Sequence, residues 1–425
     1  MKCSRCGNES DIAQAFTVKK QWAGLVTRTL CPECSGKEGL PENLLTAGLF
    51  VAFLFILDAW TIRRGTVRLA ADFLFLLAAN LPILVAHELF HAAAGSLLGV
   101  KVFRVTFGAG RLLASRRALG ITWEWRLWPT AGGTVMAPPP QEGNRARMFG
   151  AVLAGPAAHV VLMVAAALVQ ILLMILQGWF HVQTVALVQW TGLFIAFDLI
   201  LLLSTLFPRR VATPNGLVGT DGWQLLHLLF MKPDEEILRD QTYYGTAAMD
   251  AVSRNDADDA LRWAERGLEK FPNLPILLAF QGEALILKKQ FARARGNFQS
   301  LLASDAAKDP VFKYLTYNNI AYLDALMRNP EWLSEADRLS AEALRQLPWE
   351  PSIIGTRGTV LLELNRLEEG IALLKRALAK HQTPAGKAAN AYHLADGEAR
   401  RGNAEASRRY LELARKTDPH HFLME

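Results

Sequence analysis

The sequence predicts a mainly α protein: a polytopic helical membrane domain with a small interfacial β element, an N-terminal zinc ribbon and a C-terminal α-solenoid. Three observations predict it. Long apolar runs dominate the chain up to about Phe230; the rest is charged and Ala/Leu-rich, with small residues recurring at similar intervals; and all four cysteines fall in the first 34 residues. A length of 425 residues suits two or three domains. We expect a ribbon over 1–40, a membrane domain over 41–235 and helical repeats over 236–425.

Cys3-Ser-Arg-Cys6 and Cys31-Pro-Glu-Cys34 are two C-x₂-C knuckles. Each offers two thiolates to one tetrahedral zinc ion, and β-prone pieces lie in the spacer between them. Two disulfides are the alternative. No secretory signal is seen before the first apolar run near Leu44, which favours reduced, metal-bound cysteines. A segment this small needs the metal to fold. Four cysteines leave no open coordination position, so docking rather than catalysis is expected of it.

Four apolar segments read as membrane spans, near 44–60, 69–100, 148–180 and 185–207. Four spans put both termini on one side. The loop after the second span carries Lys101, Arg104, Arg111, Arg116, Arg117, Arg126, Arg145 and Arg147, and Arg209 and Arg210 follow the fourth. The positive-inside rule places this loop and both termini in the cytoplasm, here of a bacterial cytoplasmic membrane. The net charge of +6 is read as topology, so a lipid bilayer is expected as partner and nucleic acid is not. Within the loop, Val102–Phe107 reads as a strand, Gly108-Ala-Gly110 as a turn, and Ile121–Trp128 as a strand with Trp123, Trp125 and Leu127 on one face. Two roles fit this tryptophan ladder: interfacial anchoring, or an edge strand that pairs with an unfolded substrate segment.

The second span contains His87-Glu88-Leu89-Phe90-His91, a H-E-x-x-H box. On a helix the two histidines share a face and can bind one zinc ion, with Glu88 one position round as general base. Ionisable side chains at membrane depth are expensive and point to function. Two histidines need a third ligand to leave one open position. Asp221, in Gly219-Thr-Asp-Gly222, is a candidate, although a lone Asp-Gly is ordinarily a turn. His159 in the third span is a rival that could equally make a hydrogen bond inside the bundle; His227 and Asp58 are weaker candidates.

Over roughly Leu69 to Phe230 the motifs resemble the site-2 protease family of intramembrane zinc metalloproteases, peptidase family M50. The box, Gly108-Ala-Gly110, Pro129 with Gly132-Gly133, the Gly155-Pro156 pair and Pro208 followed by Asp221-Gly222 occur in that family's order. The resemblance implies that Asp221 is the third zinc ligand beside His87 and His91, and that Glu88 is the general base. It implies hydrolysis of membrane protein substrates within or next to a transmembrane segment, which must locally unwind to expose the scissile amide. Thr205 stands where relatives carry Asn, Thr220 precedes Asp221, and His159 takes the place of an Asn that follows the Gly-Pro pair. Two zinc ions are expected, one catalytic and one structural on Cys3, Cys6, Cys31 and Cys34.

Behind the membrane part, Ala248, Gly282, Ala321, Gly358 and Ala395 recur at intervals of 34, 39, 37 and 37 by subtraction. Twelve residues on come Ala260, Ala294, Gly370 and Ser407, whereas the third repeat has Ala336 after an insertion near Asn329-Pro330. Ala343, Ala377 and Ala414 mark a later helix position. The pattern resembles tetratricopeptide repeats, which offer a concave surface to a protein or peptide partner. The rival reading of the whole chain is a catalytically inactive membrane scaffold acting through these repeats. The intact Glu88 argues against it, because a purely structural zinc site has no use for that carboxylate.

Overall fold

The computed structural model describes residues 2–4, 6–12, 17–21, 26–31, 66–140, 144–180, 185–213, 216–380 and 383–424. The expected first span, Asp58 and Cys34 lie outside them. The chain forms two compact units: one is Asn43–Tyr243, the other Met1–Glu42 with Tyr244–Glu425.

Among the described residues of the unit Asn43–Tyr243, three helices are long and apolar enough to cross a membrane: α1 (Thr66–Leu97), α2 (Asn144–Phe180) and α3 (Val185–Leu206). The shortest has 22 residues, roughly 33 Å at 1.5 Å per residue and enough for a bilayer core. Along α2, Val161, Val164, Leu168, Leu172 and Ile175 are exposed at helical spacing, the stripe a lipid-facing helix needs.

Between α1 and α2 lies an antiparallel pair, β3 (Lys101–Ala118) and β4 (Ile121–Ala137). Leu119 and Gly120 turn the chain with φ of 55° and 75°. The segment 101–107 pairs with 132–137 on one side and with 122–125 on the other, while 112–118 pairs with 121–126. Gly108-Ala-Gly110 is therefore not the expected turn between strands. It is a bend inside one strand, with Gly108 and Gly110 at φ of 93° and 79°. A Cβ on Gly108 would lie 2.7 Å from the Trp128 carbonyl oxygen, so only glycine fits both the angle and the space. Trp123 and Trp125 pack on the Phe107 ring, at centroid distances of 6.2 and 4.4 Å. Val102, Val105, Phe107 and Ile121 bury against Ala92 and Val85 of α1. After α3, a short hairpin, β5 (Arg210–Thr213) and β6 (Gly216–Gly219), leads into α4 (Asp221–Phe230). Leu225 and Leu228 of α4 pack on Val152 of α2, and the Arg145 guanidinium donates to the carbonyls of Leu228 and Leu229.

The other unit begins with a small hairpin, β1 (Thr17–Gln21) and β2 (Val26–Leu30). The first cysteine knuckle closes through Gly7, whose φ is 76°, and the Ser4 amide donates to the Thr29 carbonyl at 2.8 Å. The long helical array then runs in pairs: α5 (Pro233–Ser253) with α6 (Ala257–Lys270), α7 (Pro275–Leu287) with α8 (Phe291–Leu302), and α9 (Pro310–Met327) with α10 (Pro330–Gln346). Next come α11 (Pro351–Glu363) with α12 (Leu367–Lys380), and α13 (Pro384–Arg400) with α14 (Ala404–Thr417). Each pair turns through one left-handed residue: Asn255, Lys289, Arg328, Asn365 and Gly402. Their spacing, 34, 39, 37 and 37 by subtraction, equals that of the small residues.

The small residues lie where paired helices cross. A Cβ on Gly282 would meet the Phe298 ring at 2.6 Å, and one on Gly358 would meet Leu374 Cγ at 2.7 Å. Ser407 Oγ donates to the Ala395 carbonyl at 2.8 Å. These are tetratricopeptide-like helical hairpins stacked as a solenoid. The N-terminal module is seated on the connection between α10 and α11, where the third pair meets the fourth. Ile12, Leu30, Cys3 and Cys31 share a buried cluster with Leu347, Trp349 and Ile353, and Asp11 exchanges hydrogen bonds with the Gln346 amide at 3.0 and 2.7 Å.

One buried histidine predicts a pH dependence for the stability of this unit. His393 on α13 makes ring contacts with Tyr322 and Tyr392, and the charges of His421 and Arg328 act on it. Burial, aided by His421 and Arg328, lowers its pKa from 6.5 to about 3. It is neutral in the fold, and its Nε2 shares a hydrogen bond with the Tyr322 hydroxyl at 3.1 Å. Between pH 6.5 and about 3 the unfolded chain takes up a proton that the native chain does not. Stability contributed by His393 is therefore complete above pH 6.5 and is lost as pH falls, by about 1.4 kcal/mol per pH unit. In denaturant titrations of the full chain, His393→Gln should flatten the acid loss of stability relative to wild type over this window.

Candidate metal centre

His87 and His91 are one helical turn apart on α1, both buried. Asp221 is the first residue of α4, held there by its predecessor. The Thr220 hydroxyl donates to the Phe207 carbonyl at 2.8 Å and accepts from the Trp223 amide, so it caps α4 and ties it to the end of α3. The departure at Thr220 is thus a structural device. Gly222 lets α4 lie against α3, because a Cβ there would overlap the Leu206 carbonyl oxygen.

The three side chains converge on one point, each histidine through Nε2 and Asp221 through its carboxylate. His87 Nε2 is 3.1 Å from His91 Nε2 and 3.1 Å from Asp221 Oδ2, and His91 Nε2 is 3.4 Å from Asp221 Oδ1. For ligands about 2.0 Å from a tetrahedral ion, geometry gives a donor–donor edge of about 3.3 Å. The donor set therefore fits zinc in size and in chemistry. His91 Nδ1 donates to the Ala151 carbonyl at 2.9 Å, which leaves Nε2 with its lone pair toward the other donors. The ring occupies this place because residue 155 is glycine: a Cβ there would fall within the imidazole.

Glu88 is buried beside the pair, 4% exposed. Its Oε2 accepts from the Thr134 hydroxyl at 2.8 Å. Gly132 makes room for the carboxylate, since a Cβ there would be 2.5 Å from Oε1. Asn80 holds this stretch by donating to the Pro129 carbonyl.

The rival ligands lie elsewhere. His159 sits behind His87, with Nε2 3.0 Å from His87 Nδ1, on the face away from the convergence point. His227 is stacked on Trp223 at 4.8 Å on an exposed face. Thr205 donates to its own helix, to the Leu202 carbonyl at 2.9 Å. In the N-terminal module, Cys3, Cys6 and Cys31 form a second cluster of metal-ligating atoms. Cys6 Sγ and Cys31 Sγ are 3.6 Å apart, too far for a disulfide and near the edge of about 3.8 Å for thiolates on tetrahedral zinc. Sequence reasoning missed Thr134, Gly155 as a ring slot, and Asp198. A lone acid in the apolar run Phe197-Asp-Leu-Ile200 is the signal that points to Asp198.

The sequence profile of peptidase family M50 matches residues 75–381, more than half of the chain. The chain belongs to peptidase family M50. M50 membership makes it a membrane-associated metalloprotease-family protein of the site-2 protease type, for which the metal is zinc. No curated protein matches it. Among solved structures, a tetratricopeptide-repeat protein of Thermus thermophilus shares 20% identity over 42% of this chain and 92% of its own, with a TM-score of 0.35. MamA from Desulfovibrio magneticus shares 15% over 42% and 95%, with a TM-score of 0.30. Likenesses of this size decide nothing, and the repeat assignment rests on the helix pairs themselves.

The Gly155 slot gives a direct test of the M50 centre. Gly155→Ala should displace the His91 ring and lower bound zinc by about one equivalent, with zinc on the cysteine cluster retained, measured by elemental analysis of detergent-purified protein.

Proposed function

We propose that this M50 protein is an intramembrane zinc metalloendopeptidase that cleaves membrane-anchored proteins within or next to a transmembrane segment. The observation that carries the reading is the convergence of His87, His91 and Asp221 at tetrahedral spacing, with the Glu88 carboxylate beside them. A zinc ion in this donor set supplies Lewis acidity toward an amide carbonyl and toward water.

The chain's own residues do the rest. Thr134 holds Glu88 Oε2, which leaves Oε1 to accept the proton of the attacking water and return it to the leaving amine. The scissile amide must come out of its helix to be reached. The segment 132–137 supports such unwinding. It pairs with 101–107 on one side and, among the described residues, with no strand on the other, and its Thr134 touches Glu88. An unwound substrate can add to this edge. The edge beside the acid is thus 132–137, not the tryptophan strand 121–128 suggested by sequence alone. In this reading both termini are cytoplasmic, the repeats receive a protein or peptide partner, and the four cysteines hold a structural zinc.

Glu88→Gln should keep both zinc ions and lower cleavage of a co-expressed membrane substrate by about 10²- to 10⁴-fold. His91→Ala should lose one zinc as well as cleavage. Cleavage that survives Glu88→Gln would remove Glu88 as the base. Zinc unchanged in His91→Ala would remove the metal centre and leave a scaffold.

A further inference from the structure

Behind His87 stands a chain of polar groups that the reaction itself does not use. His159 of α2 is 3% exposed, and Asp198 of α3 is fully buried. His159 Nε2 lies 3.0 Å from His87 Nδ1, and His159 Nδ1 lies 2.5 Å from Asp198 Oδ1. Three helices thus meet through one line of hydrogen bonds that ends on a metal-ligand candidate. Asp198 Oδ2 has no hydrogen-bond partner among the described residues, so His159 is the group through which this carboxylate is satisfied.

The direction of that line follows from donor and acceptor counts. A carboxylate only accepts, so His159 Nδ1 donates to Asp198. A neutral His159 then has its lone pair on Nε2 and accepts from His87 Nδ1–H. His87 is left with its lone pair on Nε2, the atom 3.1 Å from both His91 Nε2 and Asp221 Oδ2. A bare helix–helix contact would be complete with the His159–Asp198 pair alone. Here the pair is aimed at the far nitrogen of His87.

We propose that Asp198 and His159 are positioning residues of the metal centre, locking His87 in the tautomer and orientation that present Nε2 to the ion. The inference rests on the metal reading of His87 given above. An Asn oxygen can accept from His87 Nδ1–H by itself, whereas a histidine needs a carboxylate behind it to be set as an acceptor.

The test is zinc affinity of the full chain in detergent, by competition with a chromophoric chelator, with the cysteine-bound zinc as internal reference. Cobalt substitution supplies the visible d–d band of the intramembrane site as a second readout. His159→Ala and Asp198→Ala should each weaken the intramembrane site about 10- to 100-fold and change the cobalt band. Asp198→Asn is nearly isosteric and should keep the helix packing. Its amide can donate to His159 and reverse the line, so it should weaken the site at least tenfold. The double variant His159→Asn with Asp198→Ala should recover affinity to within about threefold of wild type. If the single variants bind within threefold of wild type while His91→Ala loses the metal, the relay is overturned and the metal centre stands. If the single variants weaken the site and the double variant does not recover, the pair only packs, and the relay is overturned. If His91→Ala retains the metal, the reading beneath the relay has failed.

Discussion

The proposed zinc site needs three donor atoms to approach to about 3.3 Å inside a bundle whose outer face is apolar, and that requirement bears on the backbone spacing around it. Two donors are fixed relative to each other by one turn of α1. The third arrives 130 residues after His91, by subtraction, on a different helix. Close approaches bring them together at three glycines: Gly155 against the His91 ring, Gly222 against the Leu206 carbonyl, and Gly132 against the Glu88 carboxylate. None of these three has a left-handed φ, unlike Gly108, Gly110 and Gly120 in the sheet. The site glycines supply space and the sheet glycines supply backbone angle, which are separate demands on the same residue type.

An apolar bundle in lipid gains little from burying one apolar face against another, so close packing and hydrogen bonds must hold its helices. The described contacts are of that kind. Trp190 Nε1 donates to Asp72 at 2.8 Å while its ring stacks on Phe75 at 5.4 Å, pinning α3 to α1. Arg145 bonds the last carbonyls of α4, which otherwise have no partner inside their helix. Asp221 is therefore placed from both ends of its helix, by Thr220 before it and Arg145 after it.

The legibility of the sequence follows which information is local. The box puts His87 and His91 on one face by helical period alone, and apolar length marks α1, α2 and α3. Asp221 is different. Thr-Asp-Gly reads locally as a turn, and the Asp is separated from that reading only by a family resemblance, because its helix is short and its partners are far away in sequence. The strand 132–137 escaped for a related reason: Gly132-Gly133 is poor in β-propensity, and its pairing is imposed by 101–107 rather than by its own residues. Asp198 was visible as a lone acid in an apolar run, but its partner could not be named without knowing which faces of α2 and α3 meet.

The repeats carry their information in a third way. The five helix pairs share little sequence beyond small residues at crossings, yet the left-handed residue recurs with the same intervals as those small residues. Asn holds that position twice, Gly once, and Lys and Arg once each. A long cation at positive φ is unfavourable by itself, so the angle is imposed by the helices packed on either side. The third pair shows where that constraint ends. From the left-handed residue to the small residue of the second helix is five residues in Asn255–Ala260, Lys289–Ala294, Asn365–Gly370 and Gly402–Ser407, but eight in Arg328–Ala336. The three extra residues fall at the start of α10, after the turn and before the crossing. Both the turn and the crossing are preserved around them, which identifies these two points, rather than repeat length, as what the stack requires.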